Sequence, residues 1–136
     1  MTDGPVLGVS AVVVDDERLL MVRRNPDQIL GGLWSLPGGK VAHRERLADA
    51  LAREVREETG LDVVVGEQVA IHEELPGPRV PGHFVIVAFR ATLRGGTLRA
   101  GDDAVEAQWV PLHDVRRLRT TPGLLAILSD AGVRPP

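Results

Sequence analysis

The chain has 136 residues, of which 43% are apolar and 26% are charged, with a formal net charge of −3. These values are typical of one ordinary globular domain with a single sizeable core. The absence of cysteine excludes disulfide frameworks, thiolate metal sites and cysteine nucleophiles. Lysine and arginine are scattered, which argues against a nucleic-acid polymer or a membrane surface as partner. The chain shows no signal-peptide pattern and no apolar run near the roughly 18 residues of a membrane span, so a cytoplasmic protein is expected.

The first third of the chain predicts a hairpin followed by a loop. A β-branched run over 6–14 is typical of a strand covered on both faces, and a polar turn separates it from a second apolar run over 19–22. Proline and glycine then predict a loop over 25–33. A short strand is predicted over 34–36, before Pro37 turns the chain.

A helix is predicted over 46–59, because this segment contains neither proline nor glycine and is rich in Ala, Leu, Glu and Arg. Its predicted buried stripe recurs at every fourth residue and comprises Leu47, Leu51 and Val55. Two small residues are predicted at its shoulders, Ala48 and Ala52. Gly60 suits the left-handed residue that closes a helix, with Leu61 as its hydrophobic contact.

The second half of the chain predicts further strands and two short helices. The predicted strands cover 63–65, 69–71, 83–93 and 105–110. A proline-rich loop is predicted over 74–82, helices over 112–117 and 122–131, and a disordered or loosely packed tail. Thr121 and Pro122 suit the cap and first position of the last helix. Strands interleaved with helices predict an α/β fold, with a mixed β-sheet sandwiched between α-helices, in a single domain over 1–136.

The predicted helix carries a cluster of charges near its carboxyl end. Glu54 and Glu58 share a face as like charges, and Arg53 and Glu57 stack beside them as an opposite-charge pair. A face of carboxylates is what a hard cation such as Mg²⁺ requires. A solvated surface face is the commoner explanation of such a segment. The pattern alone leaves both interpretations open.

Three neighbouring features favour the metal site. The Gly38-Gly39 turn lets a ligand approach the backbone closely. Glu45 adds another acidic group one turn ahead of the helix. Arg53 lies among the glutamates, where its planar fork can hold a carboxylate in place.

These residues resemble a known signature. Gly39 is followed after five residues by Glu45, and after seven more by the segment REVREETGL over 53–61. This pattern is similar to the Nudix box, and the chain resembles the MutT-like Nudix hydrolase family. The segments 23–24, 34–39 and 109–111 around the box also resemble the family. The resemblance implies the Nudix fold.

The resemblance also implies roles for the residues of the box. Glu54 and Glu58 would be the principal Mg²⁺ ligands, and Mn²⁺ could replace Mg²⁺. Glu57 would be a further ligand or the residue that orients or deprotonates water. The residues implied in catalysis are Glu57, Arg53 and Glu58, with Arg53 positioning the glutamates.

The loop before the helix has implied roles of its own. The Gly38 carbonyl would be a further metal ligand, while Glu45 and Gly39 would support the loop. Two positions depart from a common family pattern, which often has a glutamate at the position of Ala42 and a glycine at that of Arg44.

Outside the box, three further sites are predicted. Arg23 or Arg24, at the end of a strand beside the expected cleft, would contact phosphate. His83 is a tentative substrate contact, although a histidine at a strand edge is more often simply polar. Asp103 or Glu106 would supply an extra carboxylate, with an ordinary Asp-rich turn as the alternative.

The expected reaction is metal-dependent hydrolysis of a diphosphate bond in a nucleoside diphosphate linked to another moiety. An ADP-ribose-like substrate is favoured, because the segments 83–93 and 101–112 resemble ADP-ribose pyrophosphatase-like members. The alternative is a pyrophosphohydrolase that converts an (oxidised) nucleoside triphosphate to the monophosphate and releases pyrophosphate. A non-catalytic nucleotide-sensing module is a third hypothesis, which the intact glutamates oppose. Dimers are common in the family, so a homodimer is a further expectation.

Overall fold

The computed structural model describes residues 4–136 of the chain. The strands, in chain order, are β1 (Val6–Val12), β2 (Val14–Asp15), β3 (Arg18–Arg24), β4 (Trp34–Ser35), β5 (Gly38–Lys40), β6 (Leu61–Glu74), β7 (Phe84–Gly96) and β8 (Ala104–Pro111). The helices are α1 (Leu47–Thr59), a 3₁₀ helix (Leu112–Arg117) and α2 (Leu124–Asp130). Among the described residues, no helix is long and apolar enough to cross a bilayer.

These strands form two sheets instead of one. The first is mixed, in the order β5-β1-β7-β6, with β1 parallel to β7 and antiparallel to β5. The second is antiparallel, in the order β2-β3-β4, with β8 on β3. The predicted α/β class is confirmed. The structure differs from the prediction in having two sheets instead of one mixed sheet.

The strands at the centre of the molecule are covered on both faces, as the sequence predicts. Alternate residues of a strand point to opposite faces. Leu20 therefore enters the core packed under α1, whereas Leu19 and Met21 enter the core packed under α2. Two helix layers thus enclose the sheets, which explains the unbroken apolar run in β3.

Helix α1 begins and ends close to the predicted positions. Leu51 and Val55 are fully buried, but Ala50 is buried in place of Ala48, which is exposed. The buried stripe therefore alternates between i+3 and i+4 spacing, as a helix with 3.6 residues per turn requires. Gly60 closes the helix in the left-handed conformation (φ 74°), and its N–H donates to the Arg56 carbonyl over 2.9 Å.

Two strand predictions need correction. The separate strands over 63–65 and 69–71 are one strand, β6, whose register with β7 shifts between Val65 and Gln68. Such bulges let a strand continue while part of it leaves the regular pairing. The run over 6–14 is interrupted before Val14, and Asp16 and Glu17 both have positive φ (52° and 59°), which matches a tight hairpin turn.

The carboxyl-terminal segment also differs from its prediction. Helix α2 begins at Leu124. The residue that precedes it is Gly123, not the predicted cap Thr121, and Gly123 has a left-handed conformation (φ 86°). The tail is packed instead of disordered. Val133 contacts the core, and the Pro135 carbonyl accepts a hydrogen bond from Arg116 Nε over 3.0 Å.

Candidate functional site

Three carboxylates from two segments converge beside α1. Ligand oxygens of Glu54, Glu57 and Asp102 all lie within 4.8 Å of one another. The two glutamates come from consecutive turns of the helix, whereas Asp102 lies in the loop before β8. Carboxylate oxygens are hard ligands, and this set fits Mg²⁺ or Mn²⁺ better than a soft metal.

Asp102 reaches this cluster because its loop is bonded to the end of α1. The Arg99 N–H donates to the Thr59 carbonyl over 2.8 Å, and the Gly101 N–H donates to the Glu58 carbonyl over 3.2 Å. These carbonyls belong to the last turn of the helix, where carbonyl groups find no hydrogen-bond donor within the helix. Asp102 itself has a positive φ of 53°. Aspartate is one of the few residues other than glycine that adopt this conformation readily.

The sequence predicted a carboxylate from this region but favoured other residues. Glu106 lies within 2.7 Å of Arg23 Nη2 and is bound in that ion pair. Asp103 is exposed, and its backbone carbonyl accepts a hydrogen bond from the Asn25 N–H over 2.9 Å. The Gly-Asp-Asp turn signalled the loop, but only the backbone geometry identifies Asp102 as the residue that joins the glutamates.

Glu58 is the most deeply buried of the three helix glutamates. The residue is only 6% exposed, and its Oε1 accepts a hydrogen bond from the Gly38 N–H over 2.8 Å. Burial raises the pKa of Glu58 to about 8, with further raising by the nearby charges of Glu54 and Asp102, while the Gly38 N–H and the charge of Arg24 oppose the rise. Glu58 therefore connects the helix to β5, and it is not one of the three clustered carboxylates.

Arg53 connects the loop before α1 to the carboxylates. Its Nε and Nη2 donate to the two oxygens of Glu45 over 2.8 and 2.9 Å, which is a two-pronged pairing. Its Nη1 donates to Glu54 over 2.9 Å and more weakly to Glu57 over 3.4 Å. The hydrogen bond from Arg53, with a second from the Ala42 N–H, lowers the pKa of Glu45 to about 2.

The hydrogen bond from Arg53 also affects the pKa of Glu54. Burial raises the pKa of Glu54, and the hydrogen bond from Arg53 lowers it in opposition. In turn, the hydrogen bond to Glu45 raises the pKa of Arg53. The arginine thus stays charged and holds one oxygen of the partly buried Glu54.

Two glycines allow β5 to lie against this cluster. A Cβ on Gly39 would lie 2.5 Å from Glu54 Cδ, and a Cβ on Gly38 would overlap the Val9 carbonyl. A side chain at either position would push the strand away from the helix. The glycine pair is therefore needed because the backbone approaches its neighbours so closely.

Arg44 occupies the position where the resembling family often has glycine. Its φ is 65°, a left-handed conformation that costs a residue with a Cβ roughly 1–2 kcal/mol. The loop thus keeps its glycine-like backbone although the glycine is missing.

A cleft of about 220 Å³ opens beside the same glycines. Gly38, Gly39, Lys40 and Arg24 line the end of the cleft that adjoins the carboxylates. The Arg24 Nε donates to the Ile29 carbonyl over 2.8 Å, which ties the arginine to the loop over 25–33. Of the two predicted phosphate contacts, Arg24 lines the cleft and Arg23 does not.

The predicted substrate contact His83 does not line the cleft. Its Nε2 lies 2.8 Å from Glu73 Oε2, close to the base of the loop between β6 and β7. The cleft is lined instead by His72 and Glu74. Neither residue was predicted from the sequence as a cleft contact, although their spacing of two residues on a strand places them on one face.

A model of the NUDIX domain matches residues 4–130 of the chain. The chain belongs to the Nudix hydrolase family. Its carboxylate helix and preceding glycine turn are thus the Nudix box of this member, and the Nudix fold predicted from the sequence is confirmed.

Three related proteins illustrate this membership. An "ADP-ribose pyrophosphatase" of Methanocaldococcus jannaschii is 32% identical over 84% of this chain and 66% of its own length. The chain therefore spans slightly less than two thirds of that relative. A protein of Mycobacterium tuberculosis named "Putative 8-oxo-dGTP diphosphatase 2" is 37% identical over 89% of this chain and 86% of its own length. A MutT Nudix hydrolase from Burkholderia pseudomallei superposes with a TM-score of 0.83 at 26% identity, covering 93% of this chain and 98% of that one.

Proposed function

We propose that this Nudix protein is a metal-dependent pyrophosphohydrolase acting on a nucleoside diphosphate linked to another moiety. The observation that carries the proposal is the cluster of Glu54, Glu57 and Asp102, whose ligand oxygens lie within 4.8 Å of one another. Gly39 packs against Glu54 and also lines the cleft, so the cluster adjoins a space for substrate. A solvated charged face would not need this arrangement of glycines, loop and helix.

The cation that fits these ligands is Mg²⁺, with Mn²⁺ as a substitute. Glu54, Glu57 and Asp102 would hold it, and the Glu58 carboxylate and the Gly38 carbonyl are further proposed ligands. When bound, such a cation neutralises phosphate oxygens and lowers the pKa of a coordinated water.

The residues around the cluster have separate tasks in the proposed reaction. Arg53 fixes Glu54 through the same side chain that binds Glu45, so the ligand is oriented before substrate arrives. Arg24 lies in the cleft wall, where its guanidinium can bind a phosphate oxygen. Glu57 is the most exposed of the three glutamates, and its carboxylate oxygen that does not bind the cation would accept the proton of the attacking water. The water oxygen bonds to phosphorus as the anhydride bond breaks, and the leaving phosphate takes the bonding electrons.

Two substrate classes are consistent with the relatives. The archaeal relative named ADP-ribose pyrophosphatase supports a nucleoside diphosphate linked to a sugar, as does the resemblance of the later strands. The mycobacterial relative supports the second candidate, an (oxidised) nucleoside triphosphate cleaved to monophosphate and pyrophosphate. The intact set Glu54, Glu57 and Glu58 argues against a module that only senses nucleotides.

The products of a substrate panel test the proposal. The protein would be incubated with Mg²⁺ and, separately, ADP-ribose, NADH, a dinucleoside polyphosphate, dGTP and 8-oxo-dGTP. Conversion of ADP-ribose to AMP and ribose 5-phosphate supports the leading proposal. Release of pyrophosphate from a triphosphate, with ADP-ribose untouched, would support the second candidate. No turnover of any member would contradict both and favour the sensing module.

A further inference from the structure

The cleft contains a polar pair that the proposed reaction does not use. His72 and Glu74 lie two residues apart on β6, and both line the cleft. His72 Nε2 lies 2.8 Å from Glu74 Oε2, and the two side chains are 20% and 28% exposed. A carboxylate oxygen can only accept, so the histidine nitrogen donates this hydrogen bond.

The pair is far from the carboxylate cluster. In the mixed sheet, Lys40 at the cluster end of the cleft pairs with Gly8, and Gly8 pairs with Ile86. Ile86 in turn pairs with His72. Three steps of about 4.8 Å between neighbouring strands separate Lys40 from His72 by roughly 14 Å. A diphosphate held at the cluster cannot reach the pair, whereas the far end of a nucleotide extended along the cleft can.

The histidine is held from two sides. A Cβ on Gly123 would overlap the His72 ring, so the ring lies directly against the backbone before α2. The hydrogen bond to Glu74 fixes the ring from the other side. Among residues 4–136, no group donates to the second oxygen of Glu74, and that oxygen is not sealed from solvent. Glu74 therefore presents an oriented acceptor to the cleft.

The surroundings of this acceptor determine what it can bind. Val80, Phe84 and Ile86 line the cleft around the pair. Apolar walls favour the flat faces of a nucleobase, because a sugar would leave several hydroxyl groups without partners. A carboxylate accepts a hydrogen bond from the exocyclic amino group of cytosine or adenine. In uracil or hypoxanthine, a carbonyl takes the place of that amino group, and two acceptors would face each other.

We infer that the far end of the cleft selects amino-bearing nucleobases, with Glu74 as the specificity-determining residue and His72 as the residue that positions it. This inference rests on the proposed function only in taking a nucleotide as the ligand. It concerns binding of the base, which needs no hydrolysis.

Matched nucleotide pairs test the inference. Isothermal titration calorimetry would compare ADP with IDP and CDP with UDP, with a chelator present to prevent turnover. The amino-bearing member is expected to bind at least about tenfold more tightly in one or both pairs, the worth of one charge-assisted hydrogen bond. Glu74→Gln should abolish or invert the preference, because a glutamine amide can donate to the carbonyl of IDP or UDP.

The neighbouring glutamate provides the control. Glu73 lies on the opposite face of β6, is bonded to His83, and its side chain is 60% exposed. Glu73→Gln should therefore leave the preference unchanged. His72→Leu should weaken the preference, and His72→Gln should retain most of it, because the glutamine amide can still donate to Glu74.

The outcomes separate this inference from the proposed function. Equal affinities within both pairs, or no binding of any nucleotide, would overturn the inference. Hydrolysis of ADP-ribose together with equal affinities would overturn the inference alone. A clear amino preference in a protein that hydrolyses no substrate would support the inference and contradict the proposed function.

Discussion

The two ends of the cleft are built in different ways. At the carboxylate end, charged hydrogen bonds connect the loop before α1 to the helix, and backbone hydrogen bonds connect the helix to the loop before β8. The far end depends on one hydrogen bond, between His72 and Glu74, and on close packing against Gly123. The first arrangement suits chemistry that tolerates little displacement of its ligands. For the second, we expect single substitutions to have little effect on the rest of the molecule.

The largest effect on the rate of hydrolysis is expected from a substitution at Asp102. Asp102→Asn keeps the size of the side chain but removes the charge that a divalent cation needs. We expect the rate of hydrolysis at fixed Mg²⁺ to fall by about 100-fold or more, with an unchanged melting temperature. Steady-state kinetics and thermal unfolding measure both quantities.

The matched control is the next residue. Asp103→Asn alters an exposed side chain outside the cluster and should change the rate by less than about twofold. A large loss in Asp103→Asn with a normal rate in Asp102→Asn would show that the cluster is assigned to the wrong aspartate.

The next effect concerns the arginine that orients Glu54. Arg53→Lys keeps the positive charge but loses the planar fork that binds both oxygens of Glu45. We expect a rate loss of about 10- to 100-fold and a higher Mg²⁺ concentration at half-maximal rate, as is typical of a residue that supports metal ligands. Arg56→Lys, on the exposed side of the same helix, is the control. Equal rates in the two variants would contradict the positioning role of Arg53.

A smaller effect is expected at the loop that carries a left-handed residue. Arg44→Gly relieves a conformation that costs a non-glycine residue roughly 1–2 kcal/mol, and adds about 0.5–1 kcal/mol of unfolded-chain entropy. We therefore expect a net gain of about 0.5 kcal/mol in the free energy of unfolding, measured in urea. Arg44→Val should lower that free energy, and a gain in the valine variant would contradict the strain at this position.

The smallest effect is expected at a second arginine–carboxylate fork that has no catalytic task. Asp62 accepts hydrogen bonds from Arg94 Nε and Nη2 over 2.9 and 3.0 Å, and these contacts lower its pKa. A lowered pKa stabilises the fold above the ordinary value of 3.8, and this contribution is lost as the pH falls through the lowered value. Asp62→Asn should thus lower the melting temperature slightly at pH 7, with no change in activity.

The pH dependence provides the check on that prediction. The difference in melting temperature between Asp62→Asn and the original protein should shrink on acidification, because the aspartate is then protonated in both the folded and the unfolded chain. A difference that grows as the pH falls would contradict the direction of the pKa shift.

Local sequence patterns indicated part of the carboxylate end, because most of that end lies in one helix. Helical periodicity predicted a face shared by Glu54 and Glu58, with Arg53 and Glu57 paired beside it. The glycines were predicted as a turn, whereas they begin the short strand β5 that packs against the helix. Asp102 could not be chosen over Asp103, because the choice depends on a backbone φ of 53° and on hydrogen bonds to the last turn of α1. The spacing of residues in the sequence predicts neither this φ angle nor these hydrogen bonds.

The far end of the cleft could not be predicted because distant segments assemble it. His72 is held by Gly123, some fifty residues later in the chain, and no pattern within β6 indicates that contact. The division into two sheets has a similar cause, since β8 pairs with β3 from the other end of the chain. Local patterns predicted most of the strands and the helix, but not all of the long-range pairings.

Direct measurement of cation binding tests the central claim, that Glu54, Glu57 and Asp102 form a divalent-cation site for hydrolysis. Mn²⁺ binding would be followed by electron paramagnetic resonance in the original protein, in Asp102→Asn and in Asp103→Asn. We predict Mn²⁺ binding that Mg²⁺ displaces, at least about tenfold weaker in Asp102→Asn and unchanged in Asp103→Asn. Equal Mn²⁺ affinity in all three proteins, or hydrolysis that persists in excess chelator, would contradict the account.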